Sequence, residues 1–207
     1  MGDLRRTVLP LMLLGNTEAK KTSIIQKFCC GEVYDSNREP IVKESYIYLV
    51  RLHGYDLKIK IWDTSGQESF KYLSVELVKV SEAVILVYSV NNLNSFISLD
   101  DWLNKLDEIR DISNLPIIII GHKYDNEKER VITTEEGKRY AEKKGYHFYE
   151  VSAKTGEGIN EAFDDIIEQL FFLFEDEITG KKTKTKVNKN KKLNYNNLIQ
   201  LKKYISY

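Results

Sequence analysis

Four consecutive isoleucines, Ile117 to Ile120, constrain this chain more than any other stretch. A β-branched run without polar alternation is a strand covered on both faces, the kind found in parallel sheets between layers of helix. Ala83 to Val90 repeats the pattern. From Asn94 onward, Phe96, Leu99, Leu103, Leu106 and Ile109 recur at steps of three and four, which predicts an amphipathic helix with Trp102 on its flank. Thr133 to Glu136 reads as a capping box opening a helix to Lys144. Tyr146 to Val151 alternates as a strand, and Ile159, Phe163, Ile166, Ile167, Leu170 and Phe174 stripe a last helix. Nearer the start, Arg6 to Leu14 reads as a central strand, although Pro10 withholds one ladder donor. Pairing must therefore begin late, tolerate a gap there or put that position at an edge. Phe28 to Glu39 reads as a polar, turn-rich connection. Tyr46, Tyr48, Val50 and Leu52 then alternate, His53-Gly54-Tyr55-Asp56 turns, and Leu57, Ile59 and Ile61 alternate again, which is a hairpin. A hairpin followed by alternating strands and helices predicts an α/β fold with a mostly parallel sheet, one antiparallel strand, and helices on both faces.

With 207 residues, 42% of them hydrophobic, the chain can bury one substantial core and carry a tail. The expected division is a domain over 1–177 and a Lys/Asn-rich tail over 178–207. That tail holds nine lysines and no acid, leaving 22 basic against 31 acidic residues in the body. Opposed charge of this kind marks a tail that is solvated or meets an anionic partner. Disorder is expected at least to Lys192, because the composition lacks apolar content for a core. Two readings stand for Tyr195, Leu198, Ile199, Leu201 and Ile205: a short basic amphipathic helix at a membrane surface, or a floppy end. Weak contact with an anionic membrane would rest on the lysines, at about 1 kcal/mol each. No run approaches the roughly 20 apolar residues of a bilayer span, and the N-terminus has no apolar signal segment. Arg6 stands where a myristoylation motif wants Ser or Thr. Cys29 and Cys30 are adjacent and offer no disulfide framework. The expected location is cytoplasmic, at most peripheral to membranes.

The chemistry gathers at strand ends. Gly15-Asn16-Thr17-Glu18-Ala19-Lys20-Lys21-Thr22 lies between an apolar strand and the helical Ser23 to Phe28. Strand, tight loop and helix present backbone N–H groups and a positive dipole end to one point, which suits a phosphate. The P-loop pattern G-x-x-x-x-G-K-[ST] is met at Gly15, Lys21 and Thr22, with Lys20 in place of the second glycine. Asp63-Thr64-Ser65-Gly66-Gln67-Glu68, His122-Lys123-Tyr124-Asp125 and Ser152-Ala153-Lys154 each follow a predicted strand on the same sheet edge. In this order the four stretches resemble the G-box set of the Ras-superfamily small GTPases. The resemblance covers Arg6 to about Phe174, and Phe148-Tyr149-Glu150-Val151-Ser152-Ala153-Lys154-Thr155 looks strongly like Ras and Rab proteins.

That resemblance implies a P-loop NTPase G domain with a six-stranded sheet, binding GDP or GTP with Mg2+. The loop from Gly15 through Ser23 would hold the phosphates. Lys21 would neutralise β/γ-phosphate charge, while Thr22 and, through water, Asp63 would hold Mg2+. Gly66 would approach the γ-phosphate, and Gln67 would orient the attacking water. Asp125 would accept from the guanine ring N–H and amine, with Lys123 lying over the purine. Ala153 would offer a backbone N–H to the guanine carbonyl, within the Ser152-Ala153-Lys154 loop. Effector or regulator proteins would meet the loop 38–46 and the switch 65–78.

Several residues depart from the family pattern. Lys20 replaces the glycine of the tight turn and is strained if held at positive φ, at about 1–2 kcal/mol. Glu18 sets a carboxylate near a triphosphate, and Thr17 stands where many members need glycine, so hydrolysis is expected to be slow. Ile41 takes the place of the effector-loop threonine and has no oxygen for a hard cation. His122 replaces the usual Asn, its imidazole still able to donate to a neighbouring backbone group. The chain ends Tyr204-Ile205-Ser206-Tyr207, without the cysteines lipidated in Ras and Rab proteins, so prenylation is not expected. The leading expectation is a divergent small GTPase switch in signalling or vesicle traffic. A nucleotide-free pseudo-GTPase scaffold is the alternative. A nucleic-acid-binding tail is disfavoured because that segment has no arginine.

Overall fold

A computed structural model describes residues 8–31, 45–64, 75–122 and 127–180. Within them a six-stranded sheet runs in the order β2-β3-β1-β4-β5-β6, from β1 (Val8–Leu14), β2 (Ser45–Leu52), β3 (Tyr55–Asp63), β4 (Ala83–Ser89), β5 (Ile117–His122) and β6 (His147–Val151). Only β2 is antiparallel to its neighbour. Both β4 and β5 are buried at every position, as their unbroken apolar runs require.

Side chains of β1 alternate between two cores. Leu9, Leu11 and Leu13 pack with α1 (Lys21–Cys30) and α6 (Ile159–Leu173). Met12 and Leu14 pack on the other face with α2 (Val75–Val80), α4 (Leu99–Ile109) and α5 (Thr134–Lys144), while α3 (Leu93–Ile97) adds Phe96. The helices thus cover both faces of the sheet, which seals the parallel strands from water. After α6, a short α7 (Glu175–Thr179) folds back and buries Ile178 in the first core, so packing reaches past residue 177.

Pro10 sits in the middle of the sheet without breaking it. Its carbonyl accepts from the N–H of Glu82 at 2.8 Å, so its nitrogen also faces the β4 side. The ladder with β4 begins only at Leu11 opposite Ala83, one residue after the missing donor. Late pairing is therefore how the strand absorbs its proline.

Four local expectations need correction. The hairpin turn is two residues, His53 at φ 49° and Gly54 at φ 84°, with Tyr55 already paired to Leu52. Two positive-φ residues match the twist of the flanking strands, so the tighter turn wins over the four-residue one. Phe28 belongs to α1 rather than to a polar connection, and is buried against Phe163 with ring centroids 3.9 Å apart. The helix expected from Asn94 is two helices, broken at Ser98, whose hydroxyl bonds the carbonyl of Ser95 at 3.0 Å. Trp102, expected on the flank, is 1% exposed. Its indole N–H has found a long-range acceptor, so the ring can be buried whole.

The capping box forms as read: the Thr133 hydroxyl accepts from the N–H of Glu136, whose carboxylate accepts from the N–H of Thr133. Of the two cysteines, Cys30 is exposed, and burial pushes the Cys29 thiol up to about 12. Among the described residues, no helix is long and apolar enough to cross a membrane.

Candidate functional site

The C-terminal ends of β1, β3, β5 and β6 meet along one edge of the sheet, and the segments that follow them carry the residues singled out by sequence. After Leu14, Gly15 takes φ 142°. A Cβ there would come 2.0 Å from the carbonyl oxygen of Val87 in β4, so only glycine lets the chain leave the sheet at this point. One 3-10 turn, Thr17–Ala19, follows, with Thr17 and Glu18 exposed and Ala19 buried. Lys20 then adopts the left-handed region at φ 54°, ψ 41°, its N–H bonded to the carbonyl of Thr17 at 3.2 Å, and α1 starts. The position does require positive φ, and a lysine supplies it at a cost that glycine would not incur.

Lys21 is the second residue held by this turn. Its ammonium donates to the carbonyls of Gly15 at 2.7 Å and Asn16 at 3.2 Å, and the residue is 1% exposed. A buried ammonium needs such partners, and these carbonyls hold it inside the curl of the loop. One helical step on, the hydroxyl of Thr22 donates to a carboxylate oxygen of Asp63 at 2.6 Å. Asp63 ends β3, opposite Leu13 in the register, and is 8% exposed. Thr64 anchors the same corner through its hydroxyl, bonded to the carbonyl of Leu13 at 2.6 Å. Two hard oxygens from residues 41 positions apart thus share one point, at the residue after Lys21. The donor set suits Mg2+, which takes one or two protein oxygens and completes its shell with phosphate and water.

Asn16 has a different role from the rest of the loop. Its side-chain oxygen accepts from the Ser98 hydroxyl at 3.1 Å and from the Trp102 indole N–H at 3.1 Å. That side chain ties the loop to α4. Ser98 and Trp102 were not read from sequence as belonging to the site, and no spacing rule marks partners so far along the chain.

At the ends of β5 and β6 the base-side residues come together. His122 is 6% exposed and Ala153 3%. The Ala153 N–H points at Nε2 of His122, 3.4 Å away. His122 therefore accepts here, in place of the donating role expected for it. Ser152 braces the turn that follows, its hydroxyl accepting from Thr155 N–H at 3.2 Å and its carbonyl from Gly156 N–H at 2.7 Å. Lys154 is exposed and Ser23 half-buried. Behind the loop, Arg130 clamps Glu150 at 2.6 and 3.2 Å, joining the connection after β5 to β6. Gly66, Gln67, Lys123, Asp125 and Ile41 lie outside the described residues, as do most of the loop 38–46, most of the switch 65–78 and the tail beyond Gly180.

Comparisons with known proteins agree with this geometry. A family model described as the Ras family matches residues 10–172. The chain is similar to the GTP-binding protein YPT52 of Saccharomyces cerevisiae, 32% identical over 203 residues, covering 84% of this chain and 86% of that protein. It is also 31% identical over 165 residues to the Ras-related protein Rab-18 of Lymnaea stagnalis, with 79% of this chain and 81% of that protein covered. The Ras-related protein RABA5a of Arabidopsis thaliana is 29% identical over 161 residues, covering 78% and 72%.

Proposed function

The chain belongs to the Ras family and is a Ras-superfamily small GTPase, and on that premise we propose that it binds GDP and GTP with Mg2+ around Lys21 and hydrolyses GTP slowly. The observation that supports the binding half is the contact of Thr22 with Asp63, a hydroxyl and a carboxylate side by side that would together hold the cation. Lys21, held by loop carbonyls, would neutralise phosphate charge, and the N–H groups at the start of α1 would favour the same anion. Mg2+ would supply charge neutralisation across the β- and γ-phosphates. Asp125 would select guanine, and Gln67 would orient the attacking water.

Slowness follows from the loop itself. Thr17 and Glu18 are both exposed on the turn; with a nucleotide bound, the Thr17 side chain would take room that a glycine leaves for the transferring phosphate, and the Glu18 carboxylate would add negative charge near it. The relatives' names place them among GTP-binding and Ras-related proteins, and a role in traffic or signalling through effector or regulator proteins fits that company. Titration with fluorescent GDP, with and without Mg2+, tests the reading: binding strengthened by Mg2+ is expected, and no binding at high micromolar protein refutes it. A scaffold without a nucleotide cycle is the second reading, favoured by the strained Lys20. It requires identical melting temperatures with and without GDP, whereas a ligand at 100 times its dissociation constant adds about 2.7 kcal/mol.

A further inference from the structure

The contact between Ala153 and His122 has a consequence for the base that the loop sequence does not disclose. We infer that His122 is an affinity- and specificity-determining residue of the base pocket: its Nε2 holds the Ala153 N–H that would otherwise meet a purine 6-carbonyl. The inference rests on the guanine-nucleotide reading given above. Three features support it. The N–H and the imidazole nitrogen are 3.4 Å apart, within bonding reach but long, so the bond is one that a carbonyl oxygen can replace. Both residues are more than nine-tenths buried, so water does not compete for the donor as it would at a surface. The backbone beneath the ring is fixed, with His122 opposite Val151 in the sheet and its carbonyl accepting from Val90 N–H at 3.2 Å.

An arriving guanine therefore does not gain a free donor. It exchanges one acceptor for another at Ala153, and keeps only the difference between the two bonds. A 6-amino purine, which presents hydrogen rather than a lone pair, would clash with a bare N–H; with Nε2 already there, that penalty shrinks. His122 thus lowers guanine affinity and narrows the preference for 6-oxo over 6-amino purines.

The test compares GDP and ADP titrations of the full chain with those of His122→Phe and His122→Leu, which remove the acceptor. GDP binding is expected to tighten about threefold to tenfold, the factor worth one net hydrogen bond, and ADP binding to stay the same or weaken. Unchanged or weaker GDP binding in both variants overturns the inference, as does equal tightening for GDP and ADP. Wild-type binding of GDP reports on the guanine-nucleotide reading alone, so failure there is separable from failure here. A second readout needs neither nucleotide nor variant: the 15N resonances of His122 should show hydrogen on Nδ1 and a bare Nε2. The opposite tautomer, or an imidazolium, refutes the proposal even if the variants do not fold.

Discussion

Replacing Lys20 with glycine should make this protein more stable, although glycine ordinarily weakens a folded chain. Lys20 sits at φ 54°, ψ 41°, in the left-handed region where a Cβ crowds the following carbonyl. That strain is worth about 1–2 kcal/mol. Glycine relieves it but gives the unfolded chain more freedom to lose, about 0.5–1 kcal/mol. The net gain is therefore about 0.5–1 kcal/mol, a rise of roughly 1–4 °C in melting temperature for a domain of this size. Lys20→Ala is the control, because alanine keeps the Cβ and gains nothing from the backbone. Thermal unfolding of the three chains without nucleotide is the assay. If Lys20→Gly melts with or below Lys20→Ala, the strain argument fails and the turn is held by something other than a forced conformation. The same substitution should tighten GDP binding, since a turn that is relaxed in the holding geometry loses less on receiving a phosphate.

Three other outcomes are expected. Thr22→Val keeps the shape of α1 but removes the hydroxyl bonded to Asp63, so Mg2+ should no longer strengthen GDP binding, measured by titration with and without the cation. Tyr88→Phe should be neutral or stabilising by up to about 1 kcal/mol, because the buried Tyr88 hydroxyl has no hydrogen-bond partner among the described residues; a loss above about 1 kcal/mol in denaturant unfolding would reveal a partner. Lys144 bonds Asp100 at 2.5 Å and holds its carboxyl below the usual range, so this stability is present above the unfolded value near 4 and lost as pH falls through the folded value. Asp100→Asn should then cost at most about 1 kcal/mol at pH 7, since the pair is half exposed, and the gap to wild type should close below about pH 4.

What sequence could and could not reveal follows from how far apart interacting residues lie. The isoleucine strand, the hairpin and the capping box were legible because each is written in consecutive positions: β-branching, period two, a hydroxyl three residues before a glutamate. Lys20 was legible too, as a misfit in an eight-residue pattern, and its positive φ follows from that pattern's geometry. Asn16 was not. Its side chain serves Ser98 and Trp102, 82 and 86 residues away, and no local rule reaches that far. The same contact explains both misreadings in that region. Ser98 breaks the helix where its hydroxyl turns toward Asn16, and Trp102 goes fully inside because Asn16 satisfies its N–H. One polar side chain on the loop thus satisfies two donors in the first turns of α4. The dependence runs both ways: α4 holds Asn16, which fixes the backbone from which Lys21 reaches back to Gly15. The phosphate loop is consequently shaped by residues that its own motif does not contain, and a motif match alone understates what the site needs.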